Sequence, residues 1–211
     1  MRSKKEWLSK AKLYLILDAQ VNSYVQLLEI LKKSVRSGVD IVQLRDKTGS
    51  ARKVLEFSAQ AVKIVGDKIP FIINDRVDLA LLTGAAGVHV GQDDIRVREA
   101  RKILGMKKII GVSCQTLDHA RLAERDGADY IGFGSVFKTQ TKPGRFPMNL
   151  KILQAVTEEI SIPVFAIGGI TSKNIGRLRE LGVRRVAVCR DICCVKNVPK
   201  AVNDIRKLLV V

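Results

Sequence analysis

Short apolar runs rich in β-branched residues recur along the chain, and longer amphipathic segments separate them. The longer segments, such as SYVQLLEILKKSVRSG, repeat apolar positions every three or four residues, which predicts helices. The starts of the short runs are about 24 residues apart on average, the length of one strand–helix unit. The short runs predict eight strands, at residues 13–18, 40–46, 70–75, 87–92, 108–114, 129–136, 163–169 and 184–191.

Continuous apolar strands indicate a parallel sheet that is covered on both faces. Eight strand–helix units in 211 residues predict an α/β fold, a (β/α)8 TIM barrel at its compact end. An open doubly wound sheet would usually carry a glycine fingerprint after its first strand, and LYLILDAQ has none. No linker divides the chain, so we expect residues 1–211 to form a single domain, with a short extra N-terminal helix within 1–12.

Charge and cysteine content narrow the classes of function. The chain carries a net charge of +16, but its basic residues are dispersed and no block of five or six like charges occurs. This favours small anionic substrates over a nucleic-acid partner. No apolar run approaches the roughly 18 residues of a membrane span, and the N-terminus lacks a secretory cleavage pattern. The four Cys have no zinc-type spacing, so we expect reduced thiols and a cytoplasmic protein. A homo-oligomer is compatible with the sequence.

Polar side chains collect where the predicted strands end, which in a parallel barrel is the active-site face. Arg45, Lys47 and Lys142 place cations there, and Asp75 and Asp94 place carboxylates on neighbouring strands. This combination suits Mg²⁺ with a substrate diphosphate, since Mg²⁺ binds one or two carboxylates together with phosphate oxygens. Structural ion pairs between these carboxylates and Arg45 or Arg76 would also account for them.

Two further features of the strand ends predict a phosphate site. Gly168-Gly169 lets the backbone approach a ligand closely, and RDICCVKN after the last strand is long enough for one short extra helix. Loops after strands seven and eight with such a helix form the recurrent phosphate site of barrels. A plain tight turn would also explain the glycine pair. No nucleophile elbow, zinc-protease motif or P-loop occurs, and we expect His89 to be a packed structural histidine and Cys114 to be a bystander.

Six blocks of the sequence together resemble one known family. They read VQLRDK, FIINDRVDLA, GVHVGQDD, IIGVSCQT, GFGSVFKTQTK and FAIGGI, and they follow one another at the predicted strand ends within residues 13–192. The chain resembles the thiamine-phosphate synthases, also called thiamine-phosphate pyrophosphorylases. The resemblance implies a (β/α)8 transferase that joins hydroxymethylpyrimidine diphosphate to hydroxyethylthiazole phosphate and releases diphosphate, with Mg²⁺ as its cofactor.

The resemblance also implies roles for individual residues. Asp75 and Asp94 match the Mg²⁺ ligands of the family, and catalysis is expected to depend on Arg45, Lys47, Ser113 and Lys142. Residues 139–141 match the thiazole-phosphate loop. The full set of expected substrate contacts is Gln43, Arg45, Lys47, Asn74, Ser113, Thr139, Gln140, Thr141, Lys142, Gly169, Cys189 and Arg190.

The chain departs from the family pattern at two positions. Lys138 stands where a Pro is common, and we expect it to face solvent. Arg190 stands where a Ser is common, and it adds a cation at the predicted phosphate site.

Three functions besides the synthase are compatible with parts of this pattern. A related thiazole tautomerase comes nearest, although it would not need the diphosphate contacts. An isomerase on another phosphate-binding barrel would need an acid–base pair at the strand ends, for which the sequence offers only poor candidates. A basic nucleic-acid-binding module would account for the net charge but not for the residues at the strand ends.

Overall fold

Strands and helices alternate along the chain in the computed structural model, which describes residues 3–140, 144 and 146–210. The strands are β1 Leu13–Asp18, β2 Ile41–Arg45, β3 Phe71–Asn74, β4 Gly87–Val90, β5 Ile109–Cys114, β6 Tyr130–Phe133, β7 Val164–Ile167 and β8 Val186–Val188. The helices are α1 Lys4–Lys10, α2 Tyr24–Ser37, α3 Ala51–Val65, α4 Val77–Leu82, α5 Val97–Leu104, α6 Leu117–Arg125, α7 Leu150–Glu159, α8 Ile175–Glu180, α9 Arg190–Cys193 and α10 Val198–Val210.

The eight strands form a closed parallel barrel in chain order. The last strand pairs with the first, with Leu13 opposite Val186 and Leu15 opposite Val188. The predicted (β/α)8 barrel is therefore confirmed. Several strands end earlier than predicted: β6 stops at Phe133 and β8 at Val188. The residues beyond them have left the sheet: a loop follows β6, and helix α9 begins at Arg190, two residues after β8.

Alternate residues of each strand belong to two separate cores, as the two-residue period of a strand requires. In β1, Leu13 and Leu15 belong to the outer core between sheet and helices. Tyr14 and Ile16 belong to the inner core inside the barrel. This alternation decides which side chains of a strand can face the barrel interior.

The short N-terminal helix predicted from the sequence is α1, and it packs on the amino-terminal end of the barrel. Ser3 caps it by accepting a hydrogen bond from the backbone of Glu6 at 3.2 Å. Leu8 is buried against the inner core, and Arg185 just before β8 donates to the Ser9 carbonyl at 3.2 Å. This end is thus covered, which leaves the opposite end for a ligand.

Helix ends follow the local signals of the sequence. Gly38 ends α2 in the left-handed conformation, with φ of 94°. Asn149 caps α7, and its side chain accepts from the backbone of Lys151 at 3.0 Å. Helix α4, between β3 and β4, has only six residues. Among the described residues, no helix has the length and apolar character needed to cross a membrane.

Candidate active site

A cavity of about 510 Å³ opens where the strands end. Its volume is in the range of small-molecule sites in proteins. The barrel therefore brings together residues that are far apart in sequence, and it does so at the face predicted from the strand ends. The predicted site residues that line this cavity are Gln43, Arg45, Asn74, Ser113, Thr139, Gln140, Gly169, Cys189 and Arg190.

A chain of hydrogen bonds links Gln43 to Ser113 inside the barrel. Gln43 Nε2 donates to the Tyr14 hydroxyl at 2.7 Å, and the hydroxyls of Tyr14 and Tyr130 are 2.7 Å apart. Tyr130 also contacts His89 Nδ1 at 3.0 Å, and His89 Nε2 lies 3.0 Å from Ser113 Oγ. His89 is packed and hydrogen-bonded as expected, but it also lines the cavity.

Tyr14 and Tyr130 lie away from the carboxyl ends of their strands, and the strand-end pattern did not predict them. The alternation of residues along a strand could have predicted them. In β1, Tyr14 lies two residues from Ile16 on the inner face, and both alternate with the leucines that pack outward. Counting inward positions along each strand would have placed both phenols inside the barrel. It would not have indicated that they contact one another across 116 residues of sequence.

Arg45 is held by Asp18, a residue for which no partner was predicted. The two residues lie opposite each other in the register of β1 and β2. Arg45 donates to a carboxylate oxygen of Asp18 at 2.7 Å and to Gln20 Oε1 at 3.0 Å. Asp18 is fully buried. The guanidinium therefore has a fixed position at the cavity wall.

Asp75 lies between a cation and a second carboxylate. It forms an ion pair with Lys47 and a side-chain hydrogen bond with Asp94. Burial raises the pKa of Asp75, Lys47 opposes this rise, and Asp94 adds to it. Asp94 also accepts from the Gly91 backbone at 2.8 Å. Arg76, the Arg next to Asp75 in the chain, pairs with Asp78 instead. Lys47, Asp75 and Asp94 lie outside the set of residues that line the cavity.

Asn74 precedes this cluster and turns into the cavity. It is 8% exposed, and its Nδ2 has no hydrogen-bond partner among the described residues. A buried amide without a partner is costly, unless a ligand or a water supplies the missing acceptor. The position of Asn74 therefore suits a ligand that carries acceptor oxygens.

The glycine pair after β7 allows two loops to pack closely. Gly168 and Gly169 have φ of 106° and 62°, which favour glycine. A Cβ on Gly168 would overlap Ser135, and one on Gly169 would overlap the Lys138 carbonyl. The backbone of Phe137 donates to the Gly168 carbonyl at 3.0 Å. The glycines are thus required by contact with the loop after β6, which a plain turn would not need.

The remaining predicted residues lie at the cavity mouth or outside the described part of the chain. Thr141 and Lys142 lie outside the described residues. Lys138 and Arg190 are exposed, and both contribute to the cavity mouth. The short helix predicted after the last strand is α9, which has four residues. Burial raises the pKa of Cys114 to about 12, in keeping with a bystander thiol.

Comparison with known proteins assigns this barrel to a family. A model of the thiamine monophosphate synthase family matches residues 13–192. The chain belongs to that family. The thiamine-phosphate synthase of Shouchella clausii is 42% identical over 192 residues, which cover 90% of this chain and 92% of that protein. That of Ruminiclostridium cellulolyticum is 40% identical over 200 residues, covering 94% and 95%.

A solved structure supports the same assignment. The thiamine phosphate pyrophosphorylase of Pyrococcus furiosus superposes with a TM-score of 0.86 at 32% sequence identity. The superposition covers 97% of this chain and 96% of that one. The family resemblance inferred from the sequence blocks is thereby confirmed, and its barrel agrees with the observed one.

The Asp75–Asp94 pair fits the Mg²⁺ that the resemblance of the sequence implies. Two carboxylates in contact repel each other unless a proton or a cation lies between them. Burial is the main cause of the raised pKa of Asp75, and the nearby Asp94 adds to it. Within the described part of the chain, no group of three or more His, Cys, Asp or Glu residues could hold a metal. A cation bound here would therefore take its other ligands from water and substrate oxygens, which is typical of Mg²⁺.

Proposed function

We propose that the protein is a thiamine-phosphate synthase. It transfers the (4-amino-2-methylpyrimidin-5-yl)methyl group from its diphosphate to the nitrogen of 4-methyl-5-(2-phosphooxyethyl)thiazole. The products are thiamine phosphate and diphosphate. The observation that carries the proposal is the family match over residues 13–192, which covers every strand of the barrel and all of the predicted site residues.

The diphosphate substrate occupies the side of the mouth formed by β2, β3 and β4. Arg45, Lys47 and Asn74 contact its diphosphate, and we assign Lys142 to the same group on the resemblance of its sequence block. The fixed Arg45 and the unpartnered amide of Asn74 support this placement. Asp75 and Asp94 would hold Mg²⁺, which supplies positive charge to the phosphate oxygens.

The thiazole phosphate occupies the other side of the mouth. Thr139, Gln140 and Thr141 bind its phosphate together with the backbone at Gly169. Residues Cys189 and Arg190 extend the same wall, and the exposed guanidinium of Arg190 adds a cation. The close packing of Lys138 against Gly169 supports this arrangement, because Thr139 follows Lys138 directly in the chain.

The chemistry is a substitution at the pyrimidine methylene carbon. The bond from this carbon to the diphosphate oxygen breaks first, and the electron pair leaves with diphosphate. The resulting cation is stabilised by the aminopyrimidine ring, and the thiazole nitrogen attacks it with its lone pair. The attacking nitrogen has no proton to lose, so the reaction requires no general base. The protein contributes by positioning two substrates and by placing cations around the leaving group.

The diphosphate contacts separate this function from that of a thiazole tautomerase. An enzyme that binds the thiazole phosphate alone has no use for Arg45, Lys47 and Asn74 beside two carboxylates. The chain retains all of these residues. Arg45 and Asn74 line the cavity, and Lys47 pairs with Asp75. This observation favours the synthase.

The test is to incubate the protein with both substrates and Mg²⁺ and to measure released diphosphate. We expect release that requires both substrates and stops when a chelator removes the metal. Omission of the thiazole phosphate is the matched control, because it distinguishes transfer from hydrolysis. Diphosphate release that is equal without the thiazole, or no release at all, would contradict the proposal. Steep salt-dependent binding to random duplex DNA in place of turnover would favour the nucleic-acid module.

A further inference from the structure

Gln43 determines which group donates and which accepts in each hydrogen bond of the chain inside the barrel. Its Nε2 only donates, so the Tyr14 oxygen accepts from it at 2.7 Å. A phenol has one proton, and that of Tyr14 is then left for Tyr130, whose oxygen is 2.7 Å away. Burial raises the pKa of both phenols, so both keep their protons at neutral pH.

Assigning one proton to each hydrogen bond in the same way extends the chain to Ser113. Tyr130 accepts from Tyr14 and has its own proton left for His89 Nδ1, at 3.0 Å. Because Nδ1 accepts, the imidazole proton is on Nε2. Nε2 lies 3.0 Å from Ser113 Oγ, so His89 donates to that oxygen. The hydroxyl proton of Ser113 then remains available for another acceptor.

We propose that the relay Gln43–Tyr14–Tyr130–His89–Ser113 holds Ser113 as a hydrogen-bond donor toward the cavity, where it selects an aromatic ring nitrogen. At the other end, the bond to Tyr14 leaves the amide oxygen of Gln43 available as an acceptor. The inference rests on the proposed function, since the pyrimidine half of that substrate has ring nitrogens that accept and an amino group that donates. In this relay, Tyr14, Tyr130 and His89 are positioning residues.

Packing holds the relay in place. The rings of Tyr14 and Tyr130 meet edge to face at 5.7 Å, and Phe165 packs against both, at 5.5 and 5.6 Å. His89 stacks on Tyr130 at 5.5 Å. A Cβ on Gly111 would overlap the Tyr130 ring, so glycine at this position makes room for it. The phenols therefore have little freedom to turn away from their partners.

The direction of the relay can be measured without substrate. The chain has two His, so nitrogen-15 NMR of a His119→Gln variant reports on His89 alone. We expect its proton on Nε2 and a bare Nδ1. Tyr130→Phe removes the donor to Nδ1, and the signals should then shift toward a mixture of tautomers. Tyr24→Phe is the matched control, because its hydroxyl bonds Asp46 outside the relay, and it should leave the tautomer unchanged. A proton on Nδ1 in the otherwise unaltered chain would overturn the proposal, whether or not Tyr130→Phe folds.

The selection of a ring nitrogen needs a second measurement. The probe is unphosphorylated hydroxymethylpyrimidine, compared with two analogues in which one ring nitrogen is replaced by CH. We expect one analogue to bind about tenfold more weakly, the worth of one lost hydrogen bond to a buried partner. In Ser113→Ala, that difference should vanish. Equal affinities of all three probes, or a penalty that persists in Ser113→Ala, would overturn the selection. If His89 has its proton on Nε2 but the protein releases no diphosphate, the result counts against the proposed function and not against the relay.

Discussion

The carboxylate of Asp18 is fully buried and lies 2.7 Å from the guanidinium of Arg45, directly across the β1–β2 register. Arg45 is itself only 11% exposed. A buried carboxylate needs this partner, because an unpaired charge in the protein interior is costly. The pair therefore fixes a cation at the cavity wall before any substrate arrives.

Removing Asp18 should cost both stability and activity. We expect Asp18→Ala to lower the free energy of unfolding by about 3 kcal/mol or more, since it leaves Arg45 without its buried partner. Urea denaturation measures this change, and turnover should fall in the same variant. Asp78→Ala is the matched control, because the Arg76–Asp78 pair is exposed and should cost less than about 1 kcal/mol. Equal losses in the two variants would contradict the assigned role of Asp18.

Asp75 should reduce stability at neutral pH when no cation is bound. Its pKa is raised in the folded protein, so the folded state holds the proton more tightly than the unfolded chain. The contribution of Asp75 to the free energy of unfolding therefore decreases as pH rises from its pKa in the unfolded chain through its pKa in the folded protein. We expect Asp75→Asn to melt at a higher temperature than the unaltered chain at pH 7 in the presence of chelator, and the difference to shrink as pH falls below the unfolded pKa.

The Asp75→Asn variant also tests whether Asp75 binds Mg²⁺. Mg²⁺ with diphosphate should raise the melting temperature of the unaltered protein, since a ligand that binds only the folded state stabilises it. Asp75→Asn should lose this response and most of its activity. Glu29→Gln is a control on the exposed face of α2 and should keep both. A full response to Mg²⁺ in Asp75→Asn would exclude Asp75 as a ligand.

Lys142 should contribute mainly to the chemical step. We expect Lys142→Ala to lower kcat by about 10²-fold or more, the scale of losing one charge-stabilising donor at a transition state. Steady-state kinetics with varied pyrimidine diphosphate measures this. Lys151→Ala removes an exposed Lys from α7 and should leave kcat unchanged. A near-normal rate in Lys142→Ala would remove the residue from the mechanism.

Gly169 should tolerate no side chain. Its φ of 62° and the overlap of a Cβ with Lys138 predict that Gly169→Ala destabilises the fold by roughly 1–2 kcal/mol. The KM for the thiazole phosphate should rise, because the loops after β6 and β7 must separate. Gly176→Ala provides the comparison: it lies in α8 with open space around it, and Ala there should be neutral or stabilising. Indistinguishable denaturation midpoints for the two variants would rule out the steric argument.

The sequence by itself determined the architecture and the end of the barrel that carries the chemistry. Strand periodicity and spacing are local properties, and parallel strands place all their carboxyl ends at one face. The carboxyl ends of the strands therefore predicted that Gln43, Arg45, Asn74 and Ser113 lie close together. In the structure, all four line one cavity.

The tertiary structure decided which side chains are partners. Asp18 and Arg45 are 27 residues apart, and Tyr14 and Tyr130 are 116 apart, so no local pattern links them. The effects of burial also could not be predicted from the sequence. Burial raises the pKa of Asp75, and it leaves the amide of Asn74 without a partner among the described residues. The direction of the relay from Gln43 to Ser113 likewise follows from contacts among five strands. Contacts between distant strands exist only once the barrel closes, because closure alone fixes the distances between their side chains.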